Sequence, residues 1–139
     1  MKPCILLDTG PLVAIVNRQD RYHTWARNQW QRIVEPLLTC ESVLSETCFL
    51  LRESPRGVAS VMQMLAREVI TLPFCVDDHI VRIESLLKKY HDVPMSLADA
   101  CLVRMSEVYS ESIVFTIDND FKRYRRHGRG MIPTIMPDR

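Results

Sequence analysis

Glycine is scarce in this chain. The four glycines in 139 residues form neither a G-x-G-x-x-G nor a P-loop, which excludes a glycine-rich phosphate cradle. No G-x-S-x-G occurs, so the nucleophile elbow of serine hydrolases is missing too. No window approaches 18 consecutive apolar residues, which leaves no candidate transmembrane helix. The N-terminal segment reaches Asp8 before an apolar region of signal-peptide length can form, so a chain without a secretory leader is expected. Cys4, Cys40, Cys48, Cys75 and Cys101 are odd in number and contain no C-x-x-C pair, which gives zinc no ligand spacing. Each lies in an apolar stretch and reads as a reduced core residue of a cytoplasmic protein. His23, His79, His91 and His127 show no metal-ligand spacing either and read as surface histidines. An excess of one charge is also lacking: 18 Lys+Arg against 17 Asp+Glu leave a net charge of +1. As a total, that argues against a nucleic-acid binder.

What is present is an ordinary globular composition, 47% hydrophobic and 25% charged, at a length that makes one domain over residues 1–139. Short apolar runs alternate with helical periodicities. Strands are expected at 4–7, 36–40, 69–74 and 112–117, with an edge strand at 132–136 that Pro133 interrupts. Helices are expected just after Asp8 and over 21–34, 42–52, 55–68, 77–90 and 96–109. Strands separated by helices define an α/β protein with a mostly parallel sheet covered on both faces. Ligands of such sheets bind beyond the carboxyl ends of the strands, near a switch in strand order. Chemistry is therefore to be sought just after each strand.

Four carboxylates draw attention on that basis. Asp8 directly follows the first apolar run and Asp118 follows S-I-V-F-T-I. Each has a second reading, Asp8 as a helix N-cap and Asp118 with Asp120 as turn formers. Glu46 has Val43 and Leu50 at i−3 and i+4, which puts it along the apolar stripe of its helix. A carboxylate buried there needs a metal or an arginine partner such as Arg52 or Arg104. Asp99 has Leu102 and Val103 at i+3 and i+4, and it also completes a capping box with Ser96. One oxygen can cap while the other binds metal. Several carboxylates sharing one pocket need a cation to cancel their charge. Hard oxygen ligands without His or Cys select Mg²⁺ or Mn²⁺, the ions suited to phosphodiester hydrolysis.

In that order, the segments I-L-L-D-T-G-P-L-V-A, E-S-V-L-S-E-T-C-F-L-L, M-S-L-A-D-A-C-L and F-T-I-D-N-D-F resemble the PIN domain. Over essentially the whole chain the likeness is to single-domain VapC-like toxins of prokaryotic toxin–antitoxin pairs. The resemblance implies a three-layer α/β/α sandwich around a mostly parallel sheet and an Mg²⁺- or Mn²⁺-dependent endoribonuclease. Asp8, Glu46, Asp99 and Asp118 would hold the metal, with Asp120 assisting through a water. Thr9 and Thr116 match positions that carry a hydroxyl near the acidic pocket, and Ser96 precedes the third acid. The resemblance further implies an RNA substrate, a homodimer and a cognate antitoxin, with DNA reached only through that antitoxin.

After Asp120 the stretch F-K-R-Y-R-R-H-G-R interleaves cations with aromatics. Lys122, Arg123, Arg125, Arg126 and Arg129 suit RNA phosphates, and Phe121 or Tyr124 suits base stacking. The other reading is a solvated loop whose Phe121 packs into the core. Trp25 and Trp30 read as core or dimer surface. This stretch changes the meaning of the total charge. Residues 1–119 hold 12 Lys+Arg against 15 Asp+Glu, and residues 120–139 hold six against two. An acidic body and a basic tail sum to near neutrality, and that asymmetry favours nucleic acid. The rival from the binding class is a catalytically silent PIN-like module that binds RNA or joins a complex. A phosphorelay receiver is disfavoured, since Asp8 stands alone after the first strand and 69–74 leads to Cys75 and Val76.

Overall fold

In the computed structural model, residues 2–138 are described. Strand β1 (Cys4–Leu7) carries two fully buried neighbours, Leu6 and Leu7, on opposite faces of the sheet. Leu6 packs with Val43, Ile83 and Val114, whereas Leu7 packs with Leu12, Ala26 and Phe115. Successive strand residues point to opposite faces, so a strand buried on both sides reads as a continuous apolar run. Leu37 and Leu38 of β2 (Leu37–Leu38) divide in the same way, as do Val114 and Phe115 farther along.

The chain runs from β1 through α1 (Thr9–Val16) and α2 (His23–Trp30) to β2. It continues through α3 (Glu41–Leu50) and α4 (Gly57–Ala66) to β3 (Ile70–Thr71). A 3₁₀ turn at Val76–His79 then leads into α5 (Ile80–Lys89), α6 (Leu97–Val108) and β4 (Ser112–Phe115). A small antiparallel hairpin, β5 (Arg125–Arg126) with β6 (Gly130–Met131), precedes β7 (Thr134–Ile135). The five-stranded sheet has the order β3-β2-β1-β4-β7, with every pairing parallel. Buried residues of α1 and α2 cover one face, joined by Met64 and Leu65 of α4. Residues of α3, α5 and α6 cover the other. This is the three-layer α/β/α sandwich with a central parallel sheet. Successive strands step away from β1 in one direction to β3, and the chain then crosses to β4 on the opposite side. The order therefore switches between β1 and β4, which opens a crevice at their carboxyl ends.

Several expected elements are shorter than their apolar runs. Pro36 and Pro73 cannot donate to a ladder, and β2 and β3 each keep two residues. The helix expected from 55 starts at Gly57, because Arg56 sits at φ 60° and Gly57 closes a turn on Ser54. Space at Gly57 is also tight, since a Cβ there would stand 3.1 Å from Leu51 and Ser54, which would have to give by a few tenths of an ångström. The cysteines divide: Cys40 and Cys101 are buried, Cys4 and Cys48 half-buried, and Cys75 is exposed, which corrects its reading as core. Trp25 and Trp30 pack edge-on against Phe115 at 5.4 and 6.1 Å between ring centres. Among the described residues, no helix is long and apolar enough to cross a membrane.

Candidate active site

Asp8 is the residue that turns β1 into α1. Its backbone is extended and its side chain accepts the Thr9 N–H at 2.8 Å, which is N-cap geometry. The other carboxyl oxygen accepts the Thr116 hydroxyl at 2.6 Å, so the same residue both caps a helix and faces the crevice. Asp8 is 6% exposed. Burial lifts its carboxyl to about 7, the Thr116 and Thr9 hydrogen bonds oppose the rise, and nearby Asp99 and Asp118 add to it.

Thr116, fully buried after β4, holds the crevice from the other strand. Its Oγ1 donates to Asp8 and accepts the Asp118 N–H at 2.9 Å. Asp118 in turn accepts the Asp120 N–H at 2.9 Å, so the turn reading of Asp-Asn-Asp holds as well. Ser96 caps α6 by accepting the Asp99 N–H at 3.0 Å, which aims the half-turn carrying Asp99 into the crevice. Asp99 Oδ2 accepts the Tyr124 hydroxyl at 2.8 Å. Burial raises the Asp99 carboxyl above its usual range, the Tyr124 bond opposes this, and Asp118 adds to it.

Glu46 departs from expectation. It is exposed, and so is Leu50, because the buried stripe of α3 runs through Val43 and Thr47. Neither arginine pairs with it: Arg52 lies over the Phe49 ring and Arg104 is bound to Glu107. Glu46 instead accepts the Thr9 hydroxyl at 3.3 Å from the open side of the crevice. Gly10 packs closely there: a Cβ would stand 3.2–3.3 Å from the Ile117 side chain, which would have to give by a few tenths of an ångström.

Asp8, Glu46, Asp99, Asp118 and Asp120 thus share one cleft of about 450 Å³ with Thr9 and Ser96, and no Lys, Arg or His is among its described lining residues. Two larger clefts of about 570 and 540 Å³ lie along α5, away from the carboxyl ends of the strands, and neither gathers acids in this way. Among the described residues, no three Asp, Glu, His or Cys side chains stand close enough together to hold a metal ion. Asp8, Glu46, Asp99 and Asp118 each lean on a hydroxyl or amide donor of their own, as like charges do when they spread apart. The donor set fits a hard divalent cation in its chemistry, with carboxylates and hydroxyls and neither nitrogen nor sulfur.

The basic segment separates into two groups. Lys122, Arg123 and Arg129 are exposed. Arg125 donates to the carbonyls of Lys122, Arg123 and Tyr124, and Arg126 to those of Ser110 and Ser112, so these two shape the hairpin instead of standing free. Phe121 and Tyr124 are both 0% exposed, which removes them as stacking platforms. Two histidines also differ from expectation. His23 Nδ1 lies 2.7 Å from the Ala14 carbonyl, and His79 stacks on Phe74 and accepts from Arg104.

Sequence reasoning missed Glu107. Its carboxylate is bound by Arg82 at 2.9 and 2.7 Å, by Arg104 at 3.2 Å and by the His127 N–H at 2.7 Å. Burial works against its charge, but these donors outweigh it and hold the carboxyl down at about 2. Arg104 is its i,i+3 neighbour on α6, but Arg82 and His127 lie 25 and 20 residues away, a pairing no local pattern reveals.

A parallel α/β sandwich with carboxylates gathered at its switch point defines a class of acidic-pocket proteins. Within it, the PIN domain family matches residues 5–127, and the chain belongs to that family. In fold it is similar to VapC20 of Mycobacterium tuberculosis, described as a toxin that cleaves the sarcin-ricin loop. The TM-score is 0.77 and the identity 21%, over 86% of this chain and 93% of that one. No curated protein matches the chain in sequence.

Proposed function

We propose that the chain is a metal-dependent endoribonuclease that hydrolyses RNA phosphodiester bonds as the toxin of a type II toxin–antitoxin pair. The observation that carries this reading is the cleft: five carboxylates at the switch point, with no basic side chain among its described lining residues. Membership of the PIN family and likeness in fold to an RNA-cleaving toxin support it.

Asp8, Glu46, Asp99 and Asp118 would hold the ion, Mg²⁺ or Mn²⁺ in its place, with Asp120 assisting from the rim. Bound there, the ion would cancel the repulsion among the carboxylates and polarise water and phosphate oxygens. The chain's own residues do the rest. Thr116 and Thr9 fix Asp8 and Glu46 through hydrogen bonds that span the crevice. Lys122, Arg123 and Arg129 are free to meet phosphates, while Arg125 and Arg126 hold the backbone that presents them. Exposed Phe49, Leu50, Val58 and Met62 on α3 and α4 suit a protein partner, an antitoxin or a second copy of the chain. The protein would act in the cytoplasm and meet DNA only through the antitoxin.

The test is expression in a bacterial host. The wild type should arrest growth, and Asp8→Ala should relieve the arrest while accumulating as folded protein. An Asp8→Ala protein as toxic as its parent contradicts the assignment. Retained RNA binding without ion-dependent cleavage would point to the silent RNA-binding module instead.

A further inference from the structure

Tyr124 sits in the middle of the basic stretch, where an aromatic flanked by arginines suits a nucleic-acid surface. The structure turns it inward, and it is the largest fully buried side chain of the described residues. Tyr90 and Phe121 hold its ring edge-on from two sides, with centres 5.0 and 5.1 Å away. A buried phenol needs a hydrogen-bond partner. This one donates at 2.8 Å to Asp99, one of the cleft carboxylates. Its backbone N–H donates to the Asp120 carbonyl at 3.2 Å, so one residue reaches both segments that bring acids to the cleft.

We propose that Tyr124 is a positioning residue for the third acid: its hydroxyl fixes the Asp99 carboxylate in the orientation that receives the divalent cation. This rests on the metal-dependent reading above. The phenol O–H is the donor and the Asp99 carboxylate oxygen the acceptor. A hydrogen bond to an ionised acceptor is roughly twice as strong as a neutral one. With the ring clamped, Asp99 cannot swing without breaking that bond. Groups that orient metal ligands in this way typically change ion affinity or activity by about 10- to 100-fold when removed.

The experiment uses the full chain and Mn²⁺ alone, with binding followed by electron paramagnetic resonance and folding by circular dichroism. Tyr124→Phe keeps the ring and its packing and loses only the hydroxyl. Its Mn²⁺ affinity should fall by about 10- to 100-fold, with RNA cleavage recovering as the ion is raised. Ile83→Val, in the same buried cluster as Tyr124, should melt earlier yet bind Mn²⁺ as the wild type does. A folded Tyr124→Phe protein that binds Mn²⁺ as tightly as the wild type overturns the role of Tyr124 and leaves the nuclease reading standing. A wild type that takes up no Mn²⁺ overturns both. A measurement on the unaltered protein stands beside the variant: the Tyr124 hydroxyl proton should shift in NMR spectra as Mg²⁺ is added. A resonance that stays still while Mg²⁺ binds overturns the proposal even if Tyr124→Phe fails to fold.

Discussion

Thr116 donates to Asp8 at 2.6 Å across 108 residues of chain, joining the carboxyl ends of two adjacent parallel strands. The bond holds a carboxylate where burial alone would drive it toward protonation. Thr116→Val keeps the shape and removes the hydroxyl, so Asp8 loses its donor and the Asp118 N–H its acceptor. Stability should drop by about 1–3 kcal/mol in urea unfolding. RNA cleavage should fall by about tenfold or more. Thr116→Ser restores the hydroxyl and should recover most of both losses.

Asp8 also sets a pH dependence of stability in protein free of divalent ions. Its carboxyl is ordinarily near 3.8 and stands at about 7 in the fold. Between those values the native state holds a proton that the unfolded state has lost, so stability falls as pH rises through this window. Asp8→Asn removes the titration. In EDTA at pH 8 it should melt at least about 3 °C above the wild type, the shift of roughly 1 kcal/mol in a chain of this size. Equal melting temperatures there would show that burial of Asp8 costs the fold nothing.

Glu107 has the opposite sign. Its carboxyl is ordinarily near 4.5 and is held at about 2 by Arg82, Arg104 and the His127 N–H. Its contribution is complete above pH 4.5 and is lost as pH falls toward 2. Glu107→Gln should flatten that acid limb. It should also cost about 3 kcal/mol at neutral pH, the lower end for breaking a buried pair, because Arg82 and Arg104 keep 28% and 29% of their side chains exposed. Calorimetry from pH 2 to 7 on both proteins gives the comparison.

Exposed and engaged arginines should behave differently. Replacing Lys122, Arg123 and Arg129 together by alanine should leave melting unchanged and weaken RNA binding. The slope of log affinity against log salt should shrink by about 2, as expected when three contacts to a single strand are lost. Arg126→Ala should instead lower the melting temperature, since it frees the carbonyls of Ser110 and Ser112. An unaltered salt slope in the triple variant would place the RNA elsewhere.

The fold was readable because both faces of the sheet are buried. Runs such as I-L-L and I-V-F have no other use in a chain of this size, and helices between them force parallel pairing. Asp8 and Asp118 were readable for the same reason, being the first acidic residues past those strands. Their bland roles as cap and turn proved true together with their place in the cleft: Asp8 uses one oxygen for the cap and the other for Thr116, and Asp118 accepts the Asp120 N–H while lining the same cleft. Glu46 does line the cleft, but not for the reason its apolar neighbours suggested. Its apolar neighbour Leu50 faces solvent, and i+4 spacing gives a shared face without saying whether that face is buried. Tyr124 and Glu107 were beyond local reading. Tyr124 reaches Asp99 and the His127 N–H reaches Glu107 because the hairpin packs against α6, whereas Arg82 reaches Glu107 from α5.

The most direct measurement of the central claim is cleavage of a structured RNA by purified protein in Mg²⁺, after EDTA, and after Mg²⁺ is restored. Wild type should cut internally, stop in EDTA and resume on restoration, while Asp8→Asn and Asp99→Asn stay silent throughout with intact circular dichroism. Cleavage that continues in EDTA, or that persists in either variant, would contradict the account.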